Sequence, residues 1–286
     1  DQFAHALGLA GTMAAGLQQA FRSDSHGKPM HSAHAAETGV LCAQAAGQGI
    51  TGALDILEGE VGYGAAMDKG GDWSIATKGL GRDYNITCMT FKNHACCGHA
   101  FAAIDAALAL REKHALKPED IKRINISAYS ATIETCGSKK HSTPFEGKFS
   151  LPYLVATAIT HGSVRLDAFT RERLSNGVTI SLIDKVDFHL DADIDAAFPK
   201  RRAARIEIET VDGTVLEHFQ PTRKGDPELP LSDAEMSAKF TELVAPVAGD
   251  RIAGALLERC WSLETLDSVR HLPMAQSIVR TGQLIA

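Results

Sequence analysis

Phe91-Lys92-Asn93-His94-Ala95-Cys96-Cys97-Gly98-His99-Ala100-Phe101 stands where one pattern of structure gives way to another. Upstream, from Ala4 to about Lys78, the chain is rich in Ala and Gly at helical spacing. Leu7, Met13 and Leu17 are among its larger apolar residues, and β-branched runs are almost absent, which reads as a helical bundle. Downstream, from about Thr87 to Arg223, strands mix with helices, and from Asp226 helices return. The expected fold is therefore mainly α with an α+β second part: an all-helical bundle domain over 1–86, a smaller α+β domain over 87–223, and C-terminal helices over 224–286 returning to the helical domain. A chain of 286 residues suits that division, because single cores stop growing at roughly 250 to 300 residues.

Local signals fill in the elements. Phe3 to Phe21 reads as one buried helix packed closely through small residues, since His5, Gln18 and Gln19 interrupt it and Gly and Ala dominate its hydrophobicity. A second helix runs from about Ser32 through Val40 and Leu41, and Gly47 to Gly52 marks a stop before a short helix near Ala53. Ile121 to Tyr129 alternates apolar and polar residues, as a strand with one wet face does. Arg205 to Val211 alternates likewise, and Asp212-Gly213 supplies a tight turn into Thr214 to His218, making a hairpin. Ser150-Leu151-Pro152-Tyr153 opens a helix with Pro152 in its first turn, where a missing amide proton costs little. Ser232-Asp233-Ala234-Glu235 is a capping box before Met236 to Leu243, and helical stretches follow near Asp250 to Cys260 and Leu263 to Leu272.

Composition narrows the function. A formal charge of -6 argues against a nucleic-acid binder, so any anionic ligand must be held by local Lys, Arg and His. Six cysteines in a chain this long are no disulfide framework, and adjacent Cys96 and Cys97 are poorly placed to bridge, which points to a reducing cytoplasm. No Walker loop and no dinucleotide fingerprint after a strand is present, so no nucleotide cofactor is expected. Beginning at Asp1-Gln2-Phe3, the chain reads as a piece cut from something longer.

Two knots carry chemistry. His26-Gly27-Lys28-Pro29-Met30-His31-Ser32-Ala33-His34 opens one Ala-rich helix, and the Lys92 knot opens another. Lys and imidazolium neutralise anionic oxygens, and neutral imidazole accepts protons near pH 7, so the pairing suits binding and deprotonating a carboxylate. Lys28 and His31 also sit where free helix amides favour an anion, although a solvated helix entrance would look the same. His94, Cys96, Cys97 and His99 are competent zinc ligands, but structural zinc uses two separated clusters, and the second is missing. No metal is expected. Cys96 or Cys97 can be a thiol nucleophile tuned by His94 or His99, or a buried structural cysteine. His141, Lys148 and Tyr153 flank the next helix entrance, where the Tyr can offer its hydroxyl to a substrate or pack against the sheet.

Taken together these residues resemble the MmgE/PrpD family, which includes 2-methylcitrate dehydratase, cis-aconitate decarboxylase and iminodisuccinate epimerase. The carriers are Gly27-Lys28-Pro29-Met30-His31 with His34-Ala35-Ala36, similar to K-P-L-H-x-G-x-A-A. Phe91-Lys92 with Cys96-Cys97 and Ala102-Ala103-Ile104-Asp105-Ala106-Ala107 follow, then Lys148-Phe149-Ser150-Leu151-Pro152-Tyr153, and Pro230-Leu231-Ser232 with Lys239-Phe240. The resemblance implies a metal-free, cofactor-free lyase or isomerase with its active site between a helical and an α+β domain, and a homodimer. It places Lys28 and Lys92 in the substrate-binding and catalytic set, with His31 beside it, and implies a further N-terminal helical segment bearing active-site Asp and His residues. Many relatives read K-x-Y-P-C-C-x-x-x-H, whereas His94-Ala95 stand here for Tyr-Pro and Phe101 for the last His, so His94 or His99 is expected to supply the imidazole.

The site set expected is therefore catalytic Lys28, Lys92, His94 and His99, with His31, Cys96, Cys97, Lys148 and Tyr153 binding a small di- or tricarboxylate. The implied reaction is dehydration of a 2-methylcitrate-like hydroxy acid. Epimerisation of an imino- or amino-dicarboxylate and decarboxylation are its alternatives, and a non-catalytic interaction module is the alternative of another class. No nucleic-acid or membrane partner is expected.

Overall fold

The computed structural model describes residues 1–21, 27–67, 71–268 and Leu272. The chain divides into two compact units, Asp1–Ile86 and Thr87–Ala286.

The first unit is helical, with α1 (Gln2–Thr12), α2 (Gly27–Gly47) and the short α3 (Tyr63–Met67). α1 packs on α2, where Cys42 Sγ lies 3.8 Å from Met13 Sδ. Its other seat is Gly8: a Cβ there would stand 2.4 Å from the Ala53 carbonyl oxygen, so only hydrogen fits. His5 Nδ1 lies 3.3 Å from the Gly52 carbonyl oxygen, tying the same helix to the same loop. The close small-residue packing expected of Phe3 to Phe21 is present, but the single buried helix is not. The helix ends at Thr12, a 3-10 turn spans Gln18–Phe21, and Phe3 is 81% exposed. Gly16, at φ +130°, breaks the run with a backbone angle that other residues rarely adopt.

α2 begins at Gly27, upstream of the expected Ser32, which puts Lys28 and His31 inside its first two turns. His26 lies outside the described residues. The helix expected near Ala53 is absent. Main-chain turns replace it, with Gly59 N–H donating to Asp55 O at 2.7 Å and Tyr63 N–H to Ile56 O at 2.7 Å. Gly62 makes that turn possible, because a Cβ would sit 2.6 Å from the Ile56 oxygen.

The second unit is α+β. Its elements are α4 (Phe101–His114), β1 (Ile121–Ala128), α5 (Ser130–Cys136), α6 (Pro144–Lys148), α7 (Leu151–His161), α8 (Arg171–Leu174), α9 (Gly177–Ile183) and β2 (Val186–Leu190). α10 (Ala192–Ala197), β3 (Ala204–Thr210), β4 (Val215–Gln220), α11 (Asp233–Ala248) and α12 (Asp250–Trp261) complete it. The sheet order is β2-β1-β3-β4, with β2 parallel to β1 and the other pairs antiparallel. Ile124 pairs with Ile208 and Ile126 with Ile206, all four fully buried, so the alternation read from sequence sets the register. The hairpin turns at Gly213, whose φ is +89°.

α4 packs on β3 and β4 and against α7. Ala102, Ala103, Ala106 and Ala107 are buried, and such small side chains let a helix approach a sheet closely. α7 starts as read: Ser150 Oγ accepts from Tyr153 N–H at 3.3 Å, a cap whose loss costs about 1 kcal/mol. The capping box at Ser232 and Glu235 is formed, and α11 is held to this unit by Arg165 Nε donating to Glu242 Oε2 at 2.6 Å. The helices α11 and α12 fall in the same compact unit as the sheet. Of the helix expected at Leu263 to Leu272, a 3-10 turn at Leu263–Thr265 is present, and 269–271 lie outside the described residues. Among the described residues no helix is long and apolar enough to cross a membrane.

Candidate active site

The segment before α4 has no regular structure of its own, so its shape comes from what grips it. Phe91 N–H donates to Gly225 O at 2.8 Å, and a Cβ at Gly225 would fall 2.0 Å from the Phe91 oxygen, so glycine is required there. Lys239 Nζ donates to Lys92 O at 2.6 Å, and Arg165 Nη1 to Asn93 O at 2.6 Å and Asn93 Oδ1 at 3.2 Å. Ala95 N–H donates to Val164 O and Cys97 N–H to Lys148 O. Five outside points thus fix seven residues, which gives the segment the preorganisation a site needs.

The grip turns His94 inward, to 4% exposure. Its Nε2 lies 2.8 Å from Asp105 Oδ1, and the other carboxylate oxygen, Oδ2, accepts the Lys224 main-chain N–H at 2.8 Å. An ionised carboxylate only accepts hydrogen bonds, so Nε2 carries the proton that faces it. Nδ1 is buried with no hydrogen-bond partner among the described residues. An imidazole so arranged presents an unused basic nitrogen in a water-poor setting.

Lys92 Nζ donates to the Cys96 carbonyl at 3.3 Å, folding the ammonium back over the same loop. Lys239 beside it is pushed below the ordinary lysine value, first by burial and then by the Arg165 and Lys92 charges. Lys92, Lys239 and Arg165 thus lie close together, with Glu242, paired to Arg165, offsetting part of their charge.

The remaining residues of the second unit go different ways. Cys96 is buried, and burial, then the neighbouring Cys97, raises its thiol well above the ordinary value, which favours a packed core thiol over a nucleophile. Cys97 is half-buried. His99 Nδ1 lies 3.0 Å from the Tyr129 hydroxyl, and its ring is edge-on to Tyr129 near Phe198, so it has surroundings different from those of His94. Lys148 closes α6 with Nζ 5.4 Å from the Phe169 ring centre. Tyr153 is fully buried, its hydroxyl donates to the Ala168 carbonyl, and His141 stacks on its ring. That hydroxyl belongs to the packed interior. Lys28 and His31 are in the first unit, Lys28 exposed and His31 half-buried beside Gly16. Among the described residues no three His, Cys, Asp or Glu side chains gather to hold a metal ion.

The MmgE/PrpD N-terminal domain profile matches residues 1–76, and the C-terminal domain profile matches 94–263. The chain belongs to the MmgE/PrpD family. It is also 27% identical over 288 residues to the "Cis-aconitate decarboxylase-like protein oryM" of Aspergillus oryzae (strain ATCC 42149 / RIB 40). That match covers 95% of this chain and 59% of the relative, so the chain spans about three-fifths of the relative's length.

Within the family motif, the two departures meet in space. His94 and Phe101 pack edge to face at 5.1 Å between ring centres, with planes 88° apart. Phe101 is fully buried and walls one side of the imidazole. Sequence reading gave no site role to Asp105, Arg165, Lys224 or Lys239. For Asp105 a signal existed: it is the one charged side chain in the apolar run Phe101 to Leu110, and a charge on a buried helix face calls for a partner.

Proposed function

We propose that the protein is a lyase that removes a proton beside a carboxylate of a small di- or tricarboxylate, with dehydration of a 2-methylcitrate-like hydroxy acid as the reaction. Family membership supports the lyase class, and the observation that carries the chemistry is the His94 imidazole, hydrogen-bonded to Asp105 through Nε2 and unpartnered at Nδ1. Nδ1 takes the substrate proton, and the C–H electron pair becomes the new double bond. The hydroxyl on the neighbouring carbon leaves as water, taking up a proton in turn. Lys92, and Lys28 by resemblance, balance the negative charge that develops on the substrate carboxylate. Cys97, Lys148 and His31 complete the binding set in this reading, with His99 as a second proton carrier. The proposal includes a cytoplasmic setting, for which the free cysteines speak, and a homodimer, as the resemblance implies.

Decarboxylation of an unsaturated tricarboxylate is the second reading, favoured by the printed name of the Aspergillus relative. It would leave the C–H bond intact, release carbon dioxide, and quench the carbanion with a proton carried on Nδ1 of a His94 imidazolium. Proton NMR of 2-methylcitrate and cis-aconitate incubated with the protein in deuterated water separates the two. Loss of the C–H signal with water loss supports dehydration; deuterium appearing where carbon dioxide departed supports decarboxylation. His94→Gln should abolish either, and Lys92→Ala should slow either by about 10² to 10³. Parent rates in both variants would remove this site from the mechanism.

A further inference from the structure

We infer that Asp105 is a positioning residue that sets the tautomer of the neutral His94 imidazole, holding its proton on Nε2 so that Nδ1 is the basic nitrogen. The inference rests on the proposed role of His94 and deepens it. Three contacts carry it: His94 Nε2 to Asp105 Oδ1 at 2.8 Å, Lys224 N–H to Asp105 Oδ2 at 2.8 Å, and the absence of any partner for the buried Nδ1 among the described residues.

The Lys224 donor is what makes the arrangement directional. A main-chain N–H cannot be turned into an acceptor, so it always demands a lone pair from the group at position 105. A carboxylate supplies one there and still offers a second to Nε2–H. Asp105 is 10% exposed and His94 3% at the side chain, so water does not compete for either bond. A half-turn of the ring would put Cε1 where Nε2 meets Asp105 and lose that hydrogen bond, and Phe101 packs edge to face against the ring. His94 therefore has one orientation and one tautomer, and the tautomer is chosen by the carboxylate on the first turns of α4 rather than by the substrate.

Asp105→Asn tests this because it changes one atom and inverts the choice. The substituted amide must aim its carbonyl oxygen at Lys224 N–H, which leaves its NH2 group facing Nε2. Nε2 must then accept, and the proton moves to Nδ1. Nδ1 has no hydrogen-bond partner among the described residues that would hold it unprotonated. The base is lost while the shape of the site is kept.

The experiment is long-range proton–nitrogen NMR on histidine-labelled protein at neutral pH, with the His94 signals assigned by their disappearance in His94→Gln. The parent should show a protonated Nε2 and a bare Nδ1. Asp105→Asn should show the reverse, with kcat lower by about 10² to 10⁴ and KM little changed, as for a triad base held in the wrong tautomer. Asp105→Glu, which can still accept from both donors, should keep the parent tautomer and recover part of the rate. If Asp105→Asn does not fold, the parent spectrum and Asp105→Glu decide alone. A parent imidazole protonated at Nδ1, or an unchanged tautomer in folded Asp105→Asn, overturns the inference. Parent-like turnover by His94→Gln would instead overturn the base assignment, while the spectra still report whether Asp105 sets the tautomer.

Discussion

Arg223 and Asp226 face each other across a buried ion pair, with Nε donating to Oδ2 at 2.9 Å and side chains only 7% and 12% exposed. Thr90 closes the arrangement, donating from Oγ1 to Asp226 Oδ1 at 2.6 Å and accepting from Arg223 Nη2 at 2.9 Å. The pair therefore clamps the strap of chain that leads into Lys92 to the loop that carries Lys224.

Breaking this clamp should unfold the strap. Burial pushes the Asp226 carboxyl up, but the Arg223 and Thr90 hydrogen bonds and the Arg223 charge outweigh it and hold it below the ordinary value. The sign follows: the folded pKa lies below the unfolded one, so this stability is present above about pH 4 and is lost as the pH falls below it. Asp226→Asn leaves Arg223 buried without a counter-charge and should cost about 3 to 5 kcal/mol at pH 7. Urea melts at pH 7 and pH 3 test both points, because the variant should lose less stability on acidification than the parent. Equal acid sensitivity would show that the carboxylate is not the group that responds.

In the first unit, Gly8→Ala should destabilise by about 1 to 3 kcal/mol, the usual cost of overpacking. The new methyl would meet the main-chain oxygen of Ala53, which cannot swing aside as a flexible side chain would. Gly39→Ala, where an added Cβ would meet nothing within 4 Å outside its own helix, is the control and should not destabilise. Thermal melts of the two variants decide; equal melting temperatures would mean that α1 does not seat on this loop.

Thiol reactivity should divide by burial. Cys88 and Cys260 are exposed, whereas Cys96 is buried and its thiol is held protonated. Alkylation at pH 7.5 followed by peptide mass spectrometry should label Cys88 and Cys260 first, and Cys96 only on unfolding. Early labelling of Cys96 would restore it as a candidate nucleophile.

Tyr153→Phe distinguishes a substrate contact from a packed hydroxyl. The hydroxyl donates to the Ala168 carbonyl in a fully buried position, so its removal should cost about 1 to 3 kcal/mol of stability and leave kcat and KM near parent values. A large rise in KM with unchanged stability would return the hydroxyl to the substrate.

Much of the second unit was legible because its signals are local. Alternation gives β1, β3 and β4, Asp212-Gly213 gives their turn, and Ser150 with Pro152 and Ser232 with Glu235 start two helices at the residues observed. The strand β2 was overlooked although Val-Asp-Phe-His-Leu alternates, because five residues are a weak signal and its partner β1 lies some sixty positions upstream. In the first unit the sequence overstated α1, since apolar content alone does not show that Gly16 leaves the helical region.

By itself, the sequence determined where many backbone elements begin, because caps, turns and periodicity are settled among neighbours a few positions apart. It marked Lys92, His94, Cys96, Cys97 and His99 as one cluster. Only the tertiary structure separated them, sending Cys96 into the core, His99 to Tyr129 and His94 to Asp105. The partners that fix the loop, Lys148, Val164, Arg165, Gly225 and Lys239, and Lys224, which holds Asp105, come from segments far along the chain and meet only when the sheet and α7 close over α4. Burial and partner choice depend on that closure, and they decide which of several equivalent-looking imidazoles and thiols keeps a free basic atom.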